Sequence, residues 1–449
     1  MKIKLIEPTR CLGNGQLLRK PWLISPSLTL PYLAALAPDD VEIVIENDYF
    51  GEPNYEEPVD LVGITSYTNR ALRAYEIADE FRRRKVPVVM GGIHVSLAPD
   101  EAAEHADTVV VGEAEETWPQ FIEDFRKGRA KERYTAERYP SLANLPPPKF
   151  PLLDQSRYMC FRPKGLWRLL PTPLMPIQAA RGCPHNCEFC SVAAFSGRQY
   201  RARPVGDVIA EIKAVGARSC FFVDDNIFAA PQYARELFRA LIALGLKWTG
   251  QGTLAAAKDR ELLELAAESG CVAMCVGLES LSRKHLHSVR KTHNVVEDYP
   301  KHLKTYRDVG ISVTATMIFG FDTEDASSFD ESCDFLVRHR VPFTHWFPLT
   351  PYPGTALLAR LREEGGLKDD RWWLRRDLAR RFGPLKFPSA EVTEEVFRER
   401  FFRAWKRFYS WRNIARRILL PPAKRWPIEI LFNLAHRRDL SRDTSLFDT

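Results

Sequence analysis

Three cysteines in one short stretch form the clearest chemical pattern in this chain. Residues 181–190 read RGCPHNCEFC, which gives Cys183, Cys187 and Cys190 a C-x3-C-x2-C spacing. The glycine and the proline in this stretch favour an irregular loop, on which three thiolates can converge on one metal centre. A [4Fe–4S] cluster usually takes four cysteine ligands, so three leave one iron open. An open position at a metal is what substrate binding requires. The spacing therefore predicts a [4Fe–4S] cluster with one open iron.

Two other interpretations of these cysteines are a zinc site and three unrelated thiols. A structural zinc ion needs a fourth ligand, which usually comes from a second Cys/His pair. The sequence has no such pair at a matching spacing, although His185 lies inside the loop. The chain has nine cysteines, an odd number, and its amino terminus predicts no secretory signal, so a disulfide framework is not expected. The other six are scattered, several of them in apolar runs typical of buried thiols.

The first 140 residues alternate between strand and helix patterns. The strand patterns are KIKLIEP, VEIVIEND, DLVGITS, PVVMGG and TVVVGE, and helical patterns such as ALRAYEIADEFRRRK lie between them. This alternation predicts a Rossmann-like, doubly wound parallel sheet with helices on both faces. Five prolines between positions 140 and 151 then predict an extended linker.

A second alternating series follows the linker. Its strand patterns are MPIQAARG, SCFFVDD, LKWTGQG, CVAMCVGLES, ISVTATMIFG and FTHWFPLT. Six strand–helix repeats predict a partial (β/α)6 barrel, in which chemistry collects on the loops after the carboxyl ends of the strands. The predicted organisation is an α/β chain with a sheet domain at 1–139, a linker at 140–172, a barrel at 173–365 and a helical region at 366–449.

Composition and charge exclude several classes of protein. Of the 449 residues, 45% are hydrophobic and 27% are charged, as in soluble globular proteins, and no apolar run approaches the ~18 to 20 residues of a membrane span. We therefore expect a cytoplasmic enzyme. Residues 371–449 hold 19 Lys/Arg and 9 Asp/Glu, so this region is basic.

The basic region contains VFRERFFRAWKRFYSWRNIARRILL, which predicts one long aromatic-rich helix ended by Pro421 and Pro422. Four roles are compatible with this helix: a peripheral membrane contact, a nucleic-acid face, a lid over the barrel, or a structural cap with snorkelling arginines. No recognised RNA-binding motif accompanies it, so nucleic acid is not expected as a partner.

The motif C-x3-C-x-F-C after the first strand of a six-strand barrel resembles the radical S-adenosylmethionine (SAM) enzymes. The preceding domain resembles the cobalamin (B12)-binding domain of one large subgroup, and the resemblance covers residues 1 to about 365. It implies that Cys183, Cys187 and Cys190 ligate the cluster and that SAM chelates the open iron. The reduced cluster then cleaves SAM to methionine and a 5′-deoxyadenosyl radical, while the protein excludes competing reactions.

The resemblance also implies a set of SAM contacts at the strand ends. The implied residues are Phe189 near the adenine, Asp224 or Asp225 at the ammonium, Glu279 at the ribose, Phe319 and Gly320 through their backbone at the adenine, and Arg203, with Arg201, at the carboxylate. The alternatives are that one aspartate caps the next helix and that the arginines are solvated loop residues. The stretch Tyr352-Pro353-Gly354-Thr355 is interpreted as the entry to a helix.

Cobalamin domains often carry D-x-H-x-x-G, then S-x-L, then a glycine pair. Here Arg10 occupies the position of the histidine, so no imidazole is available as the lower cobalt ligand. The predicted cobalamin-binding residues are Arg10, Thr65, Ser66, Tyr67, Gly91, Gly92, Gly112 and Glu113. A glycine pair at the end of a strand lets a cofactor approach the backbone. The alternatives are a domain without a ligand and a domain that binds a nucleotide.

The resemblance implies methylation of an unactivated carbon in a small-molecule or lipid-like substrate, with an external reductant such as flavodoxin or ferredoxin. The alternatives are radical cyclisation, oxidation or carbon–carbon coupling without methyl transfer from cobalamin. A further alternative is a tRNA methylthiolation enzyme. Such an enzyme is expected to carry a carboxyl-terminal β-barrel and further amino-terminal cysteines, whereas this sequence has a helical pattern in that region and Cys11 alone in its first 159 residues. The non-enzymatic alternative is an electron-transfer or scaffold iron–sulfur protein. Such a protein has no need of an open iron, so a motif of three cysteines argues against it.

Overall fold

The computed structural model describes residues 1–12, 15–161, 174–322, 324–325, 327–378, 384–386, 393–418 and 426–441. The predicted linker residues 162–172 and the helix-ending prolines 421 and 422 lie outside the described residues. The chain divides into two compact units, one comprising Met1–Pro184, Cys190–Val223 and Pro351–Pro384, the other His185–Phe189, Asp224–Thr350 and Leu385–Thr449. The domain boundaries given above stay a prediction.

The first unit contains a sheet of six parallel strands, which we call the N-terminal sheet. Its strands are β1 (Lys2–Glu7), β2 (Glu42–Asn47), β3 (Leu61–Thr65), β4 (Val88–Gly91), β5 (Thr108–Val111) and β6 (Arg133–Thr135). They lie in the order β2-β1-β3-β4-β5-β6, and every neighbouring pair is parallel. All of β3 and most of β1 are buried, as expected for strands covered on both faces. The prediction of a doubly wound sheet is confirmed.

Five helices accompany this sheet: α1 (Thr29–Leu36), α2 (Ala71–Arg83), α3 (Ile93–Leu97), α4 (Pro99–Ala103) and α5 (Ala114–Arg126). α1 and α5 share one hydrophobic core with Ile3 and Leu5 of β1, to which α5 contributes Trp118 and Phe121. β1 lies between β2 and β3, so the strand order reverses there. Doubly wound sheets bind ligands beyond the carboxyl ends of their strands at such a switch point.

The second series of strands is β7 (Met175–Ile177), β8 (Ala180–Arg181), β9 (Arg201–Ala202), β10 (Ser219–Phe222), β11 (Lys247–Gly252), β12 (Cys271–Glu279), β13 (Ser312–Phe319) and β14 (Phe343–Pro348). Six of them form a second sheet in the order β14-β13-β12-β11-β10-β7. Parallel strands in chain order are the arrangement of the predicted partial (β/α)6 barrel, which is thereby confirmed. β8 and β9 form a separate two-stranded antiparallel ribbon.

Eight helices connect these strands or follow them: α6 (Ser191–Ser196), α7 (Val205–Ala214), α8 (Pro231–Ile242), α9 (Arg260–Glu268), α10 (Arg283–Ser288), α11 (Tyr299–Asp308), α12 (Ser328–Arg338) and α13 (Ala356–Glu363). α13 begins where Thr355 Oγ1 accepts a hydrogen bond from Leu358 N. This N-cap agrees with the interpretation of Tyr352–Thr355 as the entry to a helix.

The prediction of one long basic helix is wrong. The described residues instead form α14 (Glu394–Phe408), α15 (Trp411–Ile418) and α16 (Trp426–Ser441). The break comes at Tyr409 and Ser410, because the Ser410 hydroxyl accepts from Asn413 N, as an N-cap does, and so starts a new helix. Tyr409 is fully buried, and its hydroxyl donates to Thr344 O on β14.

These helices pack on the end of the second sheet. Arg417 of α15 is buried and donates to the carbonyls of Val341 and Phe408 at 3.0 Å and to Asn433 Oδ1 of α16 at 2.9 Å. Burial lowers the pKa of Arg417 to about 10, so the guanidinium stays charged at neutral pH. This packing supports the role of a structural cap. The peripheral membrane contact stays a prediction.

No helix in the described part of the chain is long and apolar enough to cross a bilayer.

Arg417→Ala tests the cap. We expect it to lower the free energy of unfolding by about 2–4 kcal/mol, because it leaves several buried acceptors without a donor. Urea denaturation measures the change. Arg416→Ala, at an exposed position of the same helix, is the matched control and is expected to change the value by less than about 0.5 kcal/mol. Equal effects of the two variants would contradict the cap.

Candidate active site

The cysteine loop, residues 182–190, runs from β8 to the start of α6. Gly182 has φ +83, and a Cβ there would lie 1.9 Å from Gln199 O, so only glycine allows the chain to pass this turn. Cys187 is buried, whereas Cys183 and Cys190 are half-buried. All nine cysteines lie in the described part of the chain, and none of them forms a disulfide.

The donor set of this loop fits a [4Fe–4S] cluster. Three thiols on one irregular loop are the ligands that such a cluster takes, and each thiolate binds a different iron. Among the described residues, no three His, Cys, Asp or Glu side chains are arranged around a position for a single metal ion. The assignment of the three ligands stays a prediction.

The middle of the cysteine loop packs within the second unit. Glu188 N donates to Val289 O at 2.9 Å, and the rings of His185 and His293 stack with centroids 3.6 Å apart. Burial lowers the pKa of His185, and it lowers that of His293 to about 3, so both imidazoles are neutral at pH 7. The ammonium of Lys291 lies 5.9 Å from the centre of the Phe189 ring.

Glu279 is the predicted SAM contact with the most constrained geometry. It ends β12 with φ +68, an uncommon value for a residue other than glycine, where the register with β13 shifts. Its Oε1 lies 3.0 Å from Lys291 Nζ, and its Oε2 accepts from Thr316 Oγ1 at 3.0 Å. The side chain is 8% exposed. Sequence reasoning missed Lys291 and Thr316, because neither belongs to a motif.

Asp224 and Asp225 follow β10. Asp224 is buried and Asp225 is exposed. The alternative role as a helix cap is wrong, because Ala230 is the cap residue of α8 and this cap has no side-chain hydrogen bond. Both aspartates stay predicted contacts to the SAM ammonium.

Phe319 and Gly320 end β13. The Phe319 ring is buried against Trp346 and Phe329, and its carbonyl oxygen accepts a hydrogen bond from Leu349 N at 2.7 Å. The backbone contact to adenine stays a prediction. Gly320 has φ +107, and its N–H donates to Glu324 Oε2 at 2.5 Å. Burial raises the pKa of Glu324 to about 8, although two backbone donors favour its charged form. Sequence reasoning missed Glu324, which shapes this turn.

The placement of Arg203 does not support its predicted contact with the SAM carboxylate. Its side chain is 1% exposed, pairs with Glu211 at 2.9 Å and donates to Gln178 O at 2.9 Å. A guanidinium enclosed in this way is not presented to a ligand. The alternative of a solvated loop arginine is equally wrong for Arg203.

The predicted cobalamin-binding residues follow four neighbouring strands of the N-terminal sheet at its carboxyl edge. Arg10 follows β1, Thr65 to Tyr67 end and follow β3, Gly91 and Gly92 end and follow β4, and Gly112 and Glu113 follow β5. Tyr67 is 49% exposed. Gly92 has φ +99, and a Cβ there would lie 2.7 Å from Thr65 Oγ1. The carboxyl edge of the sheet thus exposes backbone groups and the Tyr67 side chain near the switch point, which is where such sheets bind large cofactors.

Glu113 at this edge is held by two arginines. Its carboxylate lies 2.8 Å from Arg181 Nη1 and also pairs with Arg201, and Glu115 lies 2.5 Å from Arg181 Nη2. The side chains of both glutamates are less than a tenth exposed. Arg181 precedes the cysteine loop, so this partly buried group ties the start of the loop to the carboxyl edge of the N-terminal sheet.

Comparison with known proteins agrees with this geometry. Residues 24–122 match the family model of the B12 binding domain, and residues 177–336 match that of the radical SAM superfamily. The chain therefore contains a B12-binding domain and a radical SAM domain. The radical SAM match begins on β7 and includes the cysteine loop, and the B12 match includes the glycine pair after β4.

The relatives extend over nearly the whole chain. Bacteriochlorophyllide d C-8(2)-methyltransferase of Chlorobaculum tepidum is 29% identical over 94% of this chain and 93% of its own length. Hopanoid C-2 methylase of Rhodopseudomonas palustris is 27% identical over 77% of this chain and 66% of its own length. The solved radical SAM methyltransferase TsrM of Kitasatospora setae, with cobalamin and a [4Fe–4S] cluster bound, has a TM-score of 0.62 at 19% identity, covering 81% of this chain and 78% of that one. The last comparison shows that the fold is shared.

Gly92→Ala tests the B12 edge. We expect it to weaken corrinoid binding by about tenfold, because a side chain at φ +99 is strained and collides with the end of β3. Titration of the purified protein with a corrinoid, followed by visible absorbance, measures the affinity. Gly51→Ala, where an added Cβ meets nothing within 4 Å, is expected to bind as the wild type does. Wild-type affinity in Gly92→Ala would remove this edge from the cobalamin site.

Proposed function

We propose that this radical SAM enzyme is a cobalamin-dependent methyltransferase that methylates an unactivated carbon of a small-molecule substrate. The observation that carries the proposal is the ion-pair group in which the partly buried Arg181 and Arg201 hold the buried Glu113. It joins the predicted cobalamin edge to the residue that precedes the cysteine loop. Methyl transfer needs both cofactors at one substrate, whereas SAM cleavage alone has no need of this connection.

The two cofactors supply the demanding chemistry when bound: the reduced cluster gives SAM the electron that cleaves it, and cobalamin carries the methyl group. The chain supplies placement. Cys183, Cys187 and Cys190 hold three irons and leave one for SAM, and Glu279 offers a fixed carboxylate to the nucleoside. The backbone turn at Gly320, held by Glu324, completes the strand-end contacts.

The two relatives cited above are named for methylation, whereas an anaerobic magnesium-protoporphyrin IX monomethyl ester cyclase aligns with a smaller part of this chain, 62%. Those cited above are a bacteriochlorophyllide methyltransferase and a hopanoid methylase, and both align with most of this chain. We extend from them only the reaction class and a small-molecule acceptor. The electron for the cluster comes from an external reductant, such as flavodoxin or ferredoxin, as in radical SAM enzymes generally.

Cys187→Ala tests the cluster ligands. In anaerobically reconstituted protein given SAM and a strong reductant, we expect the wild type to form 5′-deoxyadenosine. We expect the variant to form none, because the cluster loses one of its three ligands. Chromatography of the nucleoside products, together with assays of iron and sulfide, measures both effects.

The control is Cys160→Ala, which removes a buried thiol outside the motif. It is expected to keep the iron content and the yield of 5′-deoxyadenosine. An undiminished yield in Cys187→Ala would contradict the ligand assignment. A protein that cleaves SAM in the same way but never binds a corrinoid would remove the methyltransferase proposal and leave radical chemistry.

A further inference from the structure

One short turn touches both the cysteine loop and the end of β12. This turn, residues 289–294, follows α10, and we call it the Lys291 turn. In this turn, Val289 O accepts a hydrogen bond from Glu188 N of the cysteine loop at 2.9 Å, and the ring of His293 stacks on that of His185. Asn294 Nδ2 donates to Gly277 O at 2.7 Å. The same six residues therefore fix two parts of the SAM site within one unit.

Lys291 is the charged residue of this turn, and it is buried. Its side chain is 11% exposed, and its ammonium lies 3.0 Å from Glu279 Oε1 while facing the Phe189 ring. Burying a lysine is unfavourable unless a carboxylate accompanies it. The pair therefore holds only while both partners stay in place, and each side chain orients the other.

The backbone of β12 is adapted to this pair. A Cβ on Gly277 would lie 2.0 Å from Glu279 Oε1 and 2.9 Å from Lys291 Nζ, so only glycine lets the two charged groups lie on the strand. The positive φ of Glu279 and the register shift beside it turn the carboxylate toward Lys291 and Thr316. Strain of this kind persists where the surroundings hold the residue firmly, and it is concentrated at functional sites.

The arrangement leaves the Glu279 carboxylate able to bind a ligand. An ionised carboxylate has about four acceptor positions. Lys291 and Thr316 each occupy one, on different oxygens. Each oxygen thus keeps capacity for a hydroxyl donor, which matches the two neighbouring hydroxyls of a ribose.

We propose that Lys291 is a positioning residue for SAM: it fixes the carboxylate of Glu279 and, through its turn, the Phe189 side of the cysteine loop. The inference rests on SAM binding by the radical SAM domain, as in the proposed function, and adds a residue that need not touch SAM. It requires Lys291 to act through Glu279, and that requirement is testable.

The test compares SAM affinity in Lys291→Met and Lys291→Arg, using cluster-reconstituted protein and equilibrium dialysis under anaerobic conditions. We expect Lys291→Met to raise the Kd for SAM by about 10- to 100-fold, the effect of losing a hydrogen bond to a charged group. Lys291→Arg keeps the charge and is expected to restore the affinity to within about threefold. Lys284→Met, at an exposed position of α10, is the matched control and is expected to bind SAM normally.

Two readouts separate positioning from a structural role. Iron content is expected to stay near the wild-type value in Lys291→Met, although the thermal midpoint falls because the buried Glu279 carboxylate loses its partner. The change that SAM causes in the EPR spectrum of the reduced cluster is expected to be lost at concentrations that saturate the wild type. The double variant with Glu279→Gln is expected to be no worse than Glu279→Gln alone, because the two residues act as one unit.

Wild-type SAM affinity in Lys291→Met, or additive effects in the double variant, would overturn the proposal. Parallel loss of iron and affinity would assign Lys291 to folding of the loop and overturn it as well. Failure of methyl transfer would leave these results unchanged, because none of the measurements needs a corrinoid or a methyl acceptor. The inference and the proposed function can therefore fail separately.

Discussion

The functional interpretation depends on one contact, the ion-pair group of the buried Glu113 with the partly buried Arg181 and Arg201. Removing charges from water is costly, and such groups add little to stability compared with hydrophobic packing. They do hold their partners in one defined geometry, because any separation leaves a buried charge uncompensated. Here the partners are the carboxyl edge of the N-terminal sheet and the strand that precedes the cysteine loop. The contact thus ties a cofactor edge to a cofactor loop.

A second buried pair, Lys291 with Glu279, acts in the same way at the other end of the loop. Both pairs lie where strands of a parallel sheet end, and both glutamates belong to the residues predicted to bind cofactors. Two glycines leave needed space: Gly92 lets the chain pass the end of β3 at the predicted cobalamin edge, and Gly277 leaves room on β12 for the side chains of Lys291 and Glu279. A short motif on an irregular loop is in this way held by rigid elements, as precise cofactor chemistry requires.

Much of the fold could be predicted from the sequence because buried parallel strands read as apolar runs between helical patterns. The six strands of the barrel series were all located in this way. β6 was missed, since three residues at the edge of a sheet carry too little pattern. The prediction of one long basic helix was wrong because the helical spacing of apolar residues continues across Tyr409 and Ser410. In the structure the helix ends there, where Tyr409 donates a hydrogen bond to Thr344 O and Ser410 caps the next helix.

The site could be predicted in part. The cysteines and Glu279 were found because a motif or a strand end marks them. Arg203 was misjudged because the sequence does not reveal that Glu211, in the second turn of α7, pairs with its buried guanidinium. Lys291 was missed because its role depends on a turn that returns to β12, and no local pattern records that contact.

The most direct test of the central claim is the parallel measurement of two products in one anaerobic reaction. The enzyme, loaded with cluster and either with or without corrinoid, is given SAM and a strong reductant, and 5′-deoxyadenosine and S-adenosylhomocysteine are quantified. The account predicts both products with corrinoid and only 5′-deoxyadenosine without it. Equal amounts of S-adenosylhomocysteine in the two preparations, or none in either, would contradict cobalamin-dependent methyl transfer.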